Sequence, residues 1–136
     1  TIRGGTFSAP NGSSFADYLR KALQKELEMS RLWDELSSTT ISGVLQENYL
    51  DASGTNIGVA DLSAEFFVTV GNLEVYRNTH SIHHEWDSSF AGAVAIPRAH
   101  DNYVVAVRKL LLQLFNDPKF AQATGTDLIG TLPTHN

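Results

Sequence analysis

The chain has 136 residues, of which 42% are hydrophobic, and this is the size of one globular domain with a single core. Its formal net charge of −5 and its lack of any long run of Lys or Arg argue against nucleic acid or an anionic membrane surface as a partner. The absence of cysteine excludes disulfides, thiolate ligands for zinc and a thiol nucleophile.

Residues 1–13 contain mostly Gly, Ser, Asn, Thr and Pro, a composition typical of a flexible leader or a short strand. Residues 14–124 are interpreted as one α+β domain, and residues 125–136 as a C-terminal tail. From Ser14 onward, apolar residues recur at spacings of three and four, which predicts an amphipathic helix over about residues 14–30. These apolar positions are Phe15, Leu19, Ala22, Leu23 and Leu27.

The middle of the chain is rich in β-branched and aromatic residues, which favour strands. Residues 39–53 are predicted to form one strand. Two longer strands are predicted on either side of Gly71-Asn72, because such a pair supplies the positive-φ turn that a tight hairpin requires.

A second helix is predicted over about residues 99–116, where the helical spacing of apolar residues returns. The stretch "NDPKF" ends this helix and places a proline where a short new turn can begin. The predicted order is therefore (β)-α-β-β-β-α. The predicted fold is α+β, with a three- or four-stranded antiparallel sheet and two helices packed on one of its faces.

The stretch "HSIHHEW" begins at His80 and holds three of the five histidines in the chain. Because side chains alternate along a strand, His80 and His84 are predicted to share one face and His83 to lie on the other. His80 and His84 are then about 13 Å apart, too far to bind one ion. The stretch is interpreted as a structural strand segment whose Trp86 packs on the sheet.

His83 and Glu85 are separated by only about 6.5 Å along a strand, so the two could act as metal ligands. Zinc sites normally use three or four protein ligands, and the remaining histidines, His100 and His135, are isolated in the sequence. We therefore expect no metal and no cofactor.

Other residue types that carry chemistry are present without a supporting pattern. His84, Asp87, Ser88 and Ser89 have the chemistry of a hydrolytic triad, but they follow one another without a nucleophile elbow. Three acidic residues lie on predicted strands, in a pattern that is also typical of a solvated sheet face; they are Glu47, Glu65 and Glu85. Six aromatic residues are predicted to pack in or on the sheet; they are Tyr49, Phe66, Phe67, Tyr76, Trp86 and Phe90. We expect no catalytic residues and no enzymatic activity.

Five stretches carry a resemblance to a known group of proteins. They are "FADYLRKALQKELE", "ISGVLQENYLDA", "AEFFVTV", "VYRNTHSIHHEWDSSFAGAVAI" and "NYVVAVRKLLLQLFNDPKF". Together they span Phe15 to Phe120, and they resemble the periplasmic domains of small bacterial envelope lipoproteins. This group includes the YajG-like lipoproteins and the accessory lipoproteins of transport and secretion systems. The resemblance implies a lipid-tethered domain that binds or stabilises a protein partner and has no catalytic residues.

The leading hypothesis is a non-enzymatic binding or assembly domain, periplasmic and associated with the outer membrane, whose partner is an envelope protein. Contact with the membrane would occur only through an N-terminal lipid anchor, and the chain has no cysteine to carry one. We expect a lipoprotein signal with such a cysteine to precede Thr1 in the native gene, and residues 1–13 to act as a tether. Two alternatives are a small metal-dependent or hydrolytic enzyme that uses His83 and Glu85, and a subunit of a soluble homo-oligomeric assembly.

Overall fold

The computed structural model describes residues 1–10, 14–51, 57–87 and 92–125. For residues 92–97 it describes the backbone alone. The described residues form four strands and three helices. In chain order these are β1 (Arg3–Ser8), α1 (Ser14–Met29), β2 (Thr39–Asp51), β3 (Ile57–Val70), β4 (Leu73–Asp87), α2 (Gly92–Phe115) and α3 (Pro118–Thr124).

The four strands form one sheet in the order β1-β2-β3-β4. β2, β3 and β4 pair antiparallel, whereas β1 pairs parallel to β2. A parallel pair needs a crossover connection, and α1 supplies it between β1 and β2. The predicted α+β fold is confirmed, with the difference that its sheet is mixed and not purely antiparallel.

The composition of residues 1–13 is compatible with a flexible leader or a short strand, and the structure has a strand, β1, in this segment. Ile2, directly before β1, is fully buried and forms a bridge with Trp33. β1 therefore belongs to the sheet and Ile2 to the core, so this segment is part of the folded domain. Residues 11–13, and residues 126–136 of the predicted tail, lie outside the described part of the chain.

The predicted hairpin between β3 and β4 is confirmed. Val70 pairs with Leu73 across the two-residue turn, and Gly71 has a φ of +60°. Glycine adopts this left-handed conformation without the steric cost that a side chain would add. The predicted short turn after α2 is also present, as α3, whose first residue is Pro118.

One face of the sheet and the apolar stripes of the helices enclose the core. Every second residue of β3 from Gly58 to Val68 is buried, which is the period expected for a strand with one covered face. The buried positions of α1 recur at helical spacing; they are Ala16, Leu19, Leu23 and Leu27. No described helix combines the length and the hydropathy that crossing a membrane requires.

Candidate functional site: the free edge of β4 and its groove

β4 lies at one edge of the sheet and has 15 residues. Its side away from β3 pairs with no strand among the described residues. Natural proteins usually protect such edges with proline, with charged side chains or by keeping the strand short. β4 contains no proline or lysine, and residues 78–84 at its centre contain no Asp, Glu, Lys or Arg.

The other edge of the sheet is better protected. β1 has only six residues, and its register with β2 shifts between Gly4 and Phe7. Shortness and an irregular register both make a strand a poor template for a further strand. The edge of β4, whose residues 78–84 lack this protection, is therefore the surface of this sheet that is best suited to binding another chain.

A groove of about 850 Å³ runs beside β4, between this strand and the helices that cover the sheet. Residues 78 and 80–83 of β4 line it on one side. The residues that line its other side are Lys109, Leu112, Gln113, Asn116, Asp117 and Lys119. The groove therefore joins the backbone edge of β4 to a helix surface with both polar and apolar groups.

The predicted division of the histidines between two faces is confirmed. His80 and His84 are partly buried on the face covered by the helices, whereas His83 is exposed on the open face. Each of the three side chains has its own hydrogen-bonding partners.

His80 belongs to a cluster that joins β4 to α3. The hydroxyl of Tyr76 donates to Asp117 Oδ2 at 2.6 Å, and its oxygen lies 2.9 Å from His80 Nε2. Asn78 Nδ2 donates to the same carboxylate oxygen at 3.0 Å. Asp117 also caps α3, because its Oδ1 accepts the backbone N–H of Lys119 at 3.0 Å. This carboxylate therefore connects two elements of secondary structure.

Burial and hydrogen bonds together determine the protonation states in this cluster. Burial raises the pKa of Tyr76, and the hydrogen bond to Asp117 raises it further. Burial also lowers the pKa of His80, against the opposing effect of the Asp117 charge. For Asp117, burial acts to raise the pKa, but the hydrogen bonds from Tyr76, Asn78 and the Lys119 N–H outweigh it and keep the pKa low. At neutral pH, a neutral tyrosine and a neutral histidine surround a carboxylate, which suits a structural clamp better than proton transfer.

His84 connects β4 to α2. Its Nε2 lies 2.8 Å from Asn102 Oδ1, and Lys109 Nζ lies 2.8 Å from its Nδ1. The histidine ring is also stacked on Trp86, with 5.7 Å between ring centroids and 25° between ring planes. Both ring nitrogens are therefore used in holding the strand against the helix.

Trp86 has the packing role predicted from the sequence. It is partly buried against the core and pairs directly with Gly58 of β3. A Cβ atom added at Gly58 would come within 2.5 Å of three atoms of the indole ring. The ring therefore occupies the space that a side chain at this position of β3 would need.

We predict that Gly58→Ala lowers the free energy of unfolding by about 1–3 kcal/mol, because the Trp86 ring has to move away. In a Trp86→Ala background the same substitution should cost little, since the space is then open. Urea unfolding of the two single variants and the double variant measures the coupling. Additive costs would contradict the contact.

His83 lies between two carboxylates on the open face of the sheet. Its Nδ1 is 2.5 Å from Asp61 Oδ1, and its Nε2 is 2.6 Å from Glu85 Oε2. The sequence indicated the proximity of Glu85, but it did not indicate Asp61, which lies opposite His83 on β3. The carboxylates approach opposite nitrogens of the ring, so the three groups do not converge on one point. Within the described ranges, no group of three or more His, Cys, Asp or Glu side chains could hold a metal ion.

These contacts predict a pH dependence. The hydrogen bond with Glu85 has the largest effect on the pKa of His83, followed by the hydrogen bond with Asp61, and both raise it. The ion pairs therefore stabilise the fold below the unfolded-state pKa of about 6.5, and this stabilisation is lost as the pH rises through the higher folded-state value. In an NMR titration, Glu85→Gln should lower the pKa of His83, whereas Glu28→Gln on exposed α1 should not. An unchanged pKa in Glu85→Gln would rule out the contact.

The remaining candidate residues do not form a reactive group. His84 and Asp87 lie on opposite faces of β4, and Ser88 and Ser89 lie outside the described residues. Glu65 on β3 pairs with Thr79 on β4, and Thr79 is six residues before Glu85. The two glutamates are therefore roughly 20 Å apart along the sheet. Glu47 pairs with Ser63 at an intermediate level.

The predicted aromatic residues divide between the two faces. Phe66 and Tyr76 are buried in the core. Tyr49 is half-exposed on the open face, and Phe67 lies there beneath the Arg77 guanidinium, whose carbon is 4.8 Å from the ring centroid. Phe90 and His135 lie outside the described residues, and His100 is exposed on α2.

The sequence of the chain matches no protein-family model, and a search of curated proteins gave no match. Its structure is similar to that of a proposed lipoprotein from Caulobacter crescentus, with a TM-score of 0.64 and 16% identity over 98% of this chain and 93% of the other. It is also similar to a Xanthomonas campestris protein of the family DUF330, with a TM-score of 0.57 and 12% identity over 91% and 84% of the chains.

A third similar structure is a minor lipoprotein from Acinetobacter baumannii, with a TM-score of 0.51 and 12% identity over 91% of this chain and 92% of the other. At such identities the similarity is one of fold. The fold of this chain is therefore one that is also found in small lipoproteins of Gram-negative bacteria.

Proposed function

We propose that the chain is the periplasmic domain of a small envelope lipoprotein, of the YajG-like or transport- and secretion-accessory kind, associated with the outer membrane. We further propose that it acts by binding protein and not by catalysis. The observation that carries the proposal is the long, unprotected edge of β4 beside an open groove. The fold similarity to lipoproteins supports the envelope location.

The chemistry of the groove supports a binding role. The side chains of Asp117 and His80 in the groove are each only 11% exposed. Both contact the hydroxyl group of Tyr76. His84, at the neighbouring end of β4, is held by Asn102 and Lys109. Side chains that are used in this way keep the edge strand rigid and have little freedom to act on a substrate.

A rigid free edge has the properties that strand addition requires. An extended chain placed beside β4 can form backbone hydrogen bonds with it, and these contribute affinity with little dependence on sequence. Side chains along the groove, such as Leu112 and Lys109, can then contribute specificity. Strand addition at this edge would give the domain a biological role that needs no catalysis.

Site-specific photo-crosslinking in cells tests the binding role. A benzophenone amino acid at Ser81, in the middle of β4, should give a discrete protein adduct. The matched control carries the same group at Glu28, on the exposed side of α1, and should give none. The absence of an adduct from Ser81, or an identical pattern from both positions, would contradict the proposal.

Metabolic labelling tests the envelope assignment. When the native gene is expressed from its own start in a Gram-negative host, the product should incorporate labelled palmitate and fractionate with the outer membrane. An unlabelled product in the cytoplasmic fraction would refute the lipoprotein assignment while leaving the binding role of β4 intact.

A further inference from the structure

We propose that the edge of β4 pairs antiparallel with β4 of a second copy of this chain, so that one continuous sheet runs through a two-fold symmetric dimer. This inference rests on the proposed function, because it names the partner of the β4 edge. It commits to a second copy because the edge is complementary to itself in charge, in side-chain size and in the position of the groove.

The charge pattern along the open face of β4 is self-complementary when the strand is reversed. Arg77 lies near its start, beside Glu74 with which it forms an ion pair, whereas Glu85 and Asp87 lie at its end. With the two-fold axis at Ser81, antiparallel pairing places Arg77 of each copy opposite Glu85 of the other. Asp87 is then a diagonal neighbour of Arg77, within reach of a long side chain. Parallel pairing would instead place like charges side by side.

Arg77 and Glu85 are available for such contacts. Arg77 pairs with Glu65 and Glu74, and Glu85 pairs with His83, within one chain. These are ion pairs of half-exposed side chains, and a carboxylate can accept more than one hydrogen bond. Cross-strand contacts between copies can therefore form in addition to the intrachain ones.

The centre of β4 is suited to close approach. The residues of the open face nearest the axis are Ser81, which meets Ser81 of the other copy, and Thr79, which meets His83; none of the three is an Asp, Glu, Lys or Arg. Without strongly charged side chains, the centre of β4 has little electrostatic protection against pairing with another strand edge. A centre without Asp, Glu, Lys or Arg and the charged residues on either side of it together favour an antiparallel partner.

The groove is centred near the same axis. Its β4 lining spans residues 78–83, with Ser81 near the middle, so the proposed pairing brings the grooves of the two copies together. On α2, Leu112 beside the groove is 45% exposed, and Val105, two helical turns earlier, is 41% exposed. Covering these apolar side chains would add to the backbone hydrogen bonds of the paired edges.

Charge-reversed variants test the dimer and its register. Sedimentation velocity of the folded domain should show a dimer that weakens on dilution. Arg77→Glu places two carboxylates opposite each other at both ends of the interface, and Glu85→Arg places two guanidinium groups there. Each variant alone should dimerise more weakly, on the order of tenfold or more. Glu28→Arg, on the exposed side of α1, is the matched control and should leave the dimer unchanged.

A mixture of the two variants separates intermolecular from intramolecular effects. In a heterodimer of an Arg77→Glu chain with a Glu85→Arg chain, opposite charges meet at both positions, so an equimolar mixture should recover the dimer. Loss of intrachain ion pairs cannot explain this recovery, because each chain in the mixture still lacks the pairs that its own substitution removed. Circular dichroism of each variant confirms that it is folded.

A monomeric wild type at about 100 μM, or a dimer that neither variant weakens, would overturn the inference. Failure of the mixture to recover the dimer would also overturn it. A different result would contradict the proposed function, namely that the photo-crosslinker at Ser81 captures no protein at all. A Ser81 adduct with a different protein, together with a monomeric wild type, would retain the binding role and reject the second copy.

Discussion

Replacing Phe66 with alanine is expected to lower the free energy of unfolding by about 3–5 kcal/mol, because it removes a fully buried aromatic ring from the middle of the core. Phe66 lies on β3, which pairs with both β2 and β4. Its neighbours therefore belong to several elements, and they cannot all close the cavity. Urea or thermal unfolding, followed by circular dichroism, measures the loss.

The next residue on the same strand provides the control. Phe67 lies on the open face, where the guanidinium group of Arg77 packs over its ring. Phe67→Ala should cost clearly less, since an exposed cation–π contact contributes about 0.5–1 kcal/mol. Equal costs for the two substitutions would contradict the assignment of faces in β3.

Replacing Asp117 with alanine is expected to lower the free energy of unfolding by about 2–4 kcal/mol. Loss of a helix cap costs about 1 kcal/mol. The substitution also removes the charged acceptor of the partly buried Tyr76 hydroxyl, at a cost of about 1–3 kcal/mol. Asp117→Asn retains an acceptor oxygen in place of the carboxylate, so it should cost less when unfolding is measured at neutral pH.

The same carboxylate makes the stability dependent on pH. Burial acts to raise the pKa of Asp117, but the hydrogen bonds it accepts outweigh burial and lower the pKa below its ordinary value. Its contribution is therefore complete above the unfolded-state pKa of about 4, and it is lost as the pH falls through the lower folded-state value. Wild type should lose stability more steeply in acid than Asp117→Asn does. Parallel pH profiles for the two proteins would exclude this role for the carboxylate.

The sequence by itself determined most of the secondary structure and the orientation of its side chains. Helix α1 and strands β2, β3 and β4 follow from local spacing, because burial on one face imposes a period of two or of about 3.6 residues. The same rule placed His83 on the face opposite His80 and His84. The predicted absence of catalytic activity stays a prediction.

Only the tertiary structure decided how these elements combine. The parallel pairing of β1, the free edge of β4 and the order of the strands depend on contacts between distant segments, which local periodicity does not encode. Tyr76 and Asp117 are 41 residues apart in the chain, and His83 and Asp61 are 22 residues apart. Their proximity arises from the packing of α3 against β4 and from the register of β3 with β4. Spacing along the sequence shows which face a side chain occupies, but the fold decides what lies opposite it.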